Sequence, residues 1–192
     1  MNIRTEEIKR ESEDIMGTRI QYSEYRILEY FQCHREELLK DTLRQLAELL
    51  EKNQEKEISY LQISYLHTTL LSGTYHYLAV LYDSLYYLDV KSASCELTLD
   101  FIYQFFTEDI EYLSRKLEEK YHRLYSNDIM AMKEACNRYY IGIVLNYLEL
   151  VLEELVQADV FRKMKKQSSF KILFGEYMGK GKTVYEVSDG YA

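Results

Sequence analysis

The chain has 192 residues, 47% hydrophobic and 29% charged, with a formal net charge of −8. This length holds one domain with a substantial core, and this composition excludes a disordered chain. Residues 162–192 carry seven basic and three acidic residues, which leaves a formal −12 on the preceding 161. Such a field disfavours nucleic acid and favours fast, salt-sensitive association with a more basic protein surface.

In chain order, Thr5 to Met16 reads as a short amphipathic helix with Ile8 and Ile15 on its apolar side and Gly17 as its stop. Thr18 and Gln21 then have the spacing of a capping box for a second helix over 19–54. Leu39, Leu43, Leu46 and Leu50 form its stripe, and Glu36 with Lys40 and Glu48 with Lys52 are helpful i,i+4 pairs. A Pro content of zero suits such long helices, because proline removes a donor and clashes with the preceding turn.

Ile58 to Tyr82 runs without one Asp, Glu, Lys or Arg. Its dense aromatic and β-branched residues predict a buried β-hairpin, turning at Ser72-Gly73 with Gly73 left-handed, within 57–90. With a two-residue loop His67 and His76 share a face; with three residues they do not. The second strand is expected to continue through Tyr86 and Tyr87 to Val90, and Lys91 to Glu96 reads as a connection.

Leu99, Ile102, Phe106, Ile110, Leu113 and Leu117 predict a helix over 97–125. After a Ser126-Asn127-Asp128 turn, Met132, Cys136, Tyr140, Tyr147, Val151 and Leu155 predict another over 128–166, bent near Asp159. Residues 169–188 read as a second hairpin. An isolated hairpin is marginal, so the two are expected to share one small antiparallel sheet. The fold expected is therefore α+β, a single helix-dominated domain, with an all-helical bundle as the alternative.

ISYLQISYLHTTLL, then LYDSLYYLD, then FKILFGEYM together resemble a family of uncharacterised proteins from anaerobic Gram-positive bacteria. The resemblance covers most of the chain from residue 57 onward. It implies an α+β fold and a bacterial cytoplasmic setting, and it carries over no activity and no catalytic residue.

Several chemistries are argued against. Gly175 to Thr183, GEYMGKGKT, approaches a phosphate-binding loop, but the spacing needs glycine where Glu176 stands, and too few residues follow for the required helix. Glu119-x-x-His122 is half of a di-iron pattern whose second half is missing. Cys33 and His34 are adjacent, so on a helix their side chains diverge by about 100°. The three cysteines, Cys33, Cys95 and Cys136, suggest no disulfide framework, which favours a reducing cytoplasm. The charged opening MNIRTEEIKRESED lacks a signal's apolar segment, and Gln62, His67 and His76 make a membrane span costly.

No catalytic, cofactor-binding or metal-ligating residue is therefore assigned. His67 and His76 are the polar candidates inside the uncharged stretch, either half a pocket or two histidines hydrogen-bonded beside Tyr and Thr. Tyr65, Tyr75, Tyr77, Tyr82, Tyr86 and Tyr87, among twenty tyrosines, are either core or a recognition surface. The leading expectation is a non-enzymatic protein-binding module, without nucleic acid or membrane, that neutralises a basic partner in the manner of an immunity protein or antitoxin. A ligand, metal or enzyme pocket at the sheet–helix boundary and a homodimeric scaffold are the competing readings.

Overall fold

The computed structural model describes residues 3–187. It is 62% helical with a five-stranded mixed sheet, an α+β arrangement dominated by helices, so the all-helical alternative fails. The described residues form two compact units: residues 3–35 with 100–146, and residues 36–99 with 147–187.

The first unit is helical. It takes α1 (Ile3–Glu51) as far as Arg35, α3 (Asp100–Tyr121), and α4 (Ser126–Leu155) as far as Asn146. The two N-terminal helices expected from the sequence are one: neither Gly17 nor Thr18 interrupts α1. A mid-helix glycine costs roughly 1 kcal/mol, which packing on both sides offsets. Ile8, Met16, Ile20 and Ile27 are buried, and Thr5, Ser12 and Ser23 are buried among them. Helical backbone lapses only at His34 (φ −123°, ψ 18°), whose ring stacks on Tyr30 with centroids 4.3 Å apart. The turn before α4 closes on Asp128, whose Oδ2 accepts the Tyr125 amide at 3.0 Å and whose Oδ1 accepts the Thr5 hydroxyl at 3.1 Å. This is half of a capping box with Tyr125 at the cap, so Ser126-Asn127-Asp128, expected as the turn before the helix, is instead its first turn.

The second unit carries the sheet, in strand order β3-β2-β1-β4-β5. Its strands are β1 (Ile58–Tyr65), β2 (Tyr77–Tyr82), β3 (Ala93–Leu97), β4 (Lys166–Glu176) and β5 (Lys182–Glu186). Three features depart from the antiparallel pair of hairpins. First, β1 and β2 pair antiparallel, Tyr60 opposite Tyr82 and Tyr65 opposite Tyr77, but a short helix α2 (His67–Ser72) joins them. Gly73 is left-handed (φ 75°) as expected, yet as the cap of α2, its amide donating to Thr69 O at 2.9 Å. Second, β1 pairs with β4 in parallel, Leu61 opposite Ile172, which makes the sheet mixed. A parallel pair needs a long crossover, and everything between residues 66 and 165 supplies it. Third, the segment read as a connection forms strand β3 on β2, while residues 83–90 leave the sheet. The expected second hairpin is present as β4 and β5, its far end at Ser188 lying outside the described residues.

One sheet face forms the core. Leu61, Ile63, Tyr77, Ala79, Leu81, Phe170, Ile172 and Phe174 are buried there. Phe161 of α5 (Asp159–Lys163) packs its ring on Phe170 and Tyr185, and α4 has already ended at Leu155, near the bend expected at Asp159. The later part of α1 belongs to this unit, where the Tyr147 hydroxyl donates to Leu38 O at 2.9 Å and Leu39, Leu46 and Leu50 are buried.

Candidate functional site

On the opposite sheet face the register brings Tyr60, Gln62 and Ser64 of β1 beside Tyr82, Val80 and Leu78 of β2. The polypeptide after β2 turns back over this face. Tyr86 sits at φ 56°, a left-handed conformation in which a bulky residue is an outlier. It is held there by rings: Tyr60 at 4.9 Å, Tyr82 at 5.2 Å and Tyr87 at 4.1 Å between centroids. Gln62, 1% exposed, joins the cluster from below. Its amide donates to the Tyr87 hydroxyl at 2.9 Å, and its carbonyl accepts the Tyr86 hydroxyl. Tyr87 in turn donates to Gly179 O at 3.3 Å. Each hydroxyl proton is thereby used once, so the 3.3 Å approach of the two hydroxyls adds no further donated bond.

The β4–β5 turn closes the other side. Tyr177 sets its ring edge-on to Tyr87 at 6.5 Å. Gly181 crosses so near β4 that a Cβ there would stand 3.0 Å from the Leu173 Cβ, which explains a glycine at that place. The base of the 83–91 loop is tied by Asp89. Its carboxylate accepts the amides of Asp83 at 3.0 Å and Lys91 at 2.8 Å, together with the Lys56 ammonium. Burial works against its charge, but these hydrogen bonds outweigh that effect and hold Asp89 below the usual carboxylate range. Burial, followed by the neighbouring Tyr177, Tyr87 and Asp89, pushes the Tyr82 phenol up to about 12, and burial with the Tyr87 contact raises Tyr86 further.

On the loops beside this half-buried platform, apolar side chains stand out in solvent. Val90 is 95% exposed, Leu88 77%, Met178 66% and Leu85 60%. Met178, like Tyr86, has a positive φ, 58°. In sequence, exposed Lys91 follows Val90, and exposed Lys180 and Lys182 follow Met178; among the described residues none of the three lysines forms an ion pair.

The residues singled out in the sequence divide accordingly. Tyr77 is core, stacking on Phe174 at 6.1 Å, and Tyr82 is buried on the opposite face as part of the platform. Tyr86 and Tyr87 build the platform, while Tyr65 and Tyr75 are half-buried away from it, Tyr75 at φ 50°. The histidines are not brought into one pocket. His67 Nε2 lies 2.8 Å from Glu176 at the end of β4, and His76 Nδ1 lies 3.1 Å from Glu96 of β3. These are two separate pairs at one end of the sheet, and among the described residues no three His, Cys, Asp or Glu side chains are grouped to hold a metal. Glu119 and His122 do not share a helical face, because α3 ends at Tyr121 and His122 has φ 59°. The phosphate-loop look-alike is the β4–β5 turn.

Sequence reasoning missed Gln62 as the centre of the platform and Leu85, Leu88, Val90 and Met178 as exposed. An apolar residue inside an apolar run reads as core, and only the departure of residues 83–90 from the sheet reverses that. It also missed Asp109 in the helical unit, which is 1% exposed and accepts from Arg19 Nε at 2.5 Å, Ser23 Oγ at 2.7 Å and Tyr140 Oη at 2.8 Å. With three donors on two oxygens this carboxylate is a structural node, and burial followed by its charge raises the neighbouring Cys136 thiol well above its ordinary value.

Fold and site thus define an α+β, helix-dominated protein whose sheet carries a tyrosine platform, with exposed apolar side chains on the two loops beside it. No family model, curated protein or solved structure matches the chain. No helix among the described residues is long and apolar enough to cross a membrane.

Proposed function

We infer that the chain is a non-enzymatic protein-binding module of the bacterial cytoplasm, and that its tip of Leu85, Leu88, Val90 and Met178 enters an apolar recess of a partner protein. The observation carrying this reading is the way the tip is held out. Four apolar side chains stand in water on two loops, above a platform whose hydroxyls are satisfied internally and whose backbone is left-handed at Tyr86 and Met178. Left-handed backbone at bulky residues persists only where the surroundings over-determine it, and it concentrates at functional sites. Apolar surface is otherwise removed from water at about 25 cal/mol per Å², so exposed apolar side chains on two braced loops support a role in docking.

The formal charge of −8 adds a long-range preference for a more basic partner. Exposed Glu149, Glu153 and Glu154 on α4 would face such a partner, and neutralising it is the concrete form of the role. The contact at the tip follows its own local chemistry, in which lysines and apolar groups predominate.

A tagged pull-down from the native organism at low and moderate salt tests this reading, with wild type beside Leu88→Asp/Val90→Asp. The expected result is one stoichiometric partner lost with the double variant. A partner retained at full yield by that variant would remove the tip from the interface.

A further inference from the structure

We propose that the loop over residues 83–91 docks as a closed, preformed unit through its side chains rather than its backbone, and that Asp89 is the positioning residue that closes it. This rests on the reading of Leu85, Leu88 and Val90 as docking residues and names how they are presented. The hydrogen bonds of the loop turn inward. The Asp83 amide donates to Asp89 Oδ2 at 3.0 Å and the Lys91 amide to Asp89 Oδ1 at 2.8 Å, so one carboxylate takes both ends. Between them the Leu85 amide donates to Asp83 Oδ1 at 2.8 Å and the Tyr86 amide to Asp83 O at 3.2 Å. The Leu88 amide donates to Leu85 O at 3.1 Å and the Asp89 amide to Tyr86 O at 2.9 Å. The Lys56 ammonium, from the turn between α1 and β1, donates to the Asp89 carboxylate and to Lys91 O, and so ties the closed ends to the sheet unit.

This wiring decides how a partner can read the loop. Adding a strand needs outward amides at alternate residues. From Asp83 to Lys91, every pair of alternate residues includes at least one amide already donated within the loop. Strand addition is therefore excluded, and side chains remain. Leu85 and Leu88 are the ends of a four-residue turn, which brings their Cα atoms within about 7 Å of each other. They are 60% and 77% exposed, and Val90, two residues on, is 95% exposed. The partner's recess is thus apolar and shaped for aliphatic side chains, with no row of backbone groups to offer. A loop already closed loses little conformational freedom on binding. One that is partly open binds in proportion to its closed fraction. Asparagine at residue 89 has one accepting oxygen in place of two, and no charge for Lys56, so it cannot hold both ends.

Amide hydrogen exchange on the purified full chain, wild type beside Asp89→Asn, tests the closure. The amides of Asp83, Leu85, Leu88 and Lys91 are expected to exchange about tenfold faster or more in the variant, with those of Tyr60 to Tyr65 in β1 unchanged. A residue that only stabilises the fold would move both sets. The pull-down, repeated with Asp89→Asn and with Leu85→Ala/Leu88→Ala, tests the docking mode. At limiting bait, the yield of the partner captured by wild type is expected to fall about tenfold with each. Unchanged exchange at Asp83 and Lys91 overturns the proposal, as does full yield with Asp89→Asn once its loop exchanges faster. Full yield with the double alanine overturns docking through side chains. If Leu88→Asp/Val90→Asp still abolishes capture in those cases, the loop remains a docking element and only its mode is wrong. If that variant too retains the partner, or wild type captures none, the docking role itself has failed.

Discussion

Gln62 illustrates how one buried polar side chain can govern a surface. Its carbonyl takes the Tyr86 proton and its amide serves the Tyr87 oxygen, and those two rings set the path of residues 83–90. Replacing it by leucine keeps much of the volume but leaves the Tyr86 hydroxyl without its acceptor. Leaving a buried polar group unsatisfied costs about 1–3 kcal/mol. Gln62→Leu is therefore expected to lower the denaturant midpoint by that amount with little change in the slope. An unchanged midpoint would mean that Tyr86 finds water and that the platform is held by ring packing alone. The same residue shows a limit of reading from sequence. Within ISYLQISYL a glutamine on a buried strand looks like a blemish in an apolar run, and its partners lie 24 and 25 positions further on. Its role depends on residues 83–90 folding back, which no local periodicity encodes.

At the scale of elements, the long stripes were legible and the breaks were not. Met132, Cys136, Tyr140, Tyr147, Val151 and Leu155 are buried at the spacing the sequence shows, because a 3.6-residue period on an apolar face has few other solutions. Gly17 was misleading since a glycine can stop a helix or merely be carried through one. Here it lies in the interior of α1, where an added Cβ would meet only the Tyr139 hydroxyl at 3.6 Å, an ordinary contact. Gly17→Ala is expected to raise stability by about 0.5–1 kcal/mol, read as a higher denaturant midpoint. Gly73→Ala should do the opposite by about 1–2 kcal/mol, because its φ of 75° places a Cβ against the following carbonyl. If both alanines lowered stability alike, α1 would not run through residue 17. The helix α2 and the strand β3 escaped notice for a related reason: six residues of helix and five of strand are too short to establish a period, and hydrogen bonds to β2 decide β3.

Across the whole molecule, tyrosines are buried in both units; the Tyr140 hydroxyl donates to Asp109 and the Tyr147 hydroxyl to Leu38 O. Burial raises Tyr82 to about 12 and Tyr147 to about 12, and it carries Tyr140, beside Asp109, higher still. In each the folded state favours the neutral phenol over an unfolded reference of 10.0. The stability these groups contribute is therefore complete below that reference and is lost as pH rises through the folded values. Tyr140 belongs to the helical unit, and Tyr82 and Tyr147 to the sheet unit, so alkali acts on both at once. Tyrosinate absorbance should show a steep phase between about pH 10 and 12 that coincides with loss of far-UV ellipticity. Ionising a buried phenol means releasing it to water, and in the sheet unit that dismantles the contacts of Gln62 and frees the tip from its base. A single smooth titration centred near the ordinary tyrosine value, with secondary structure intact throughout, would show that these rings reach solvent and that the platform does not hold the tip in place.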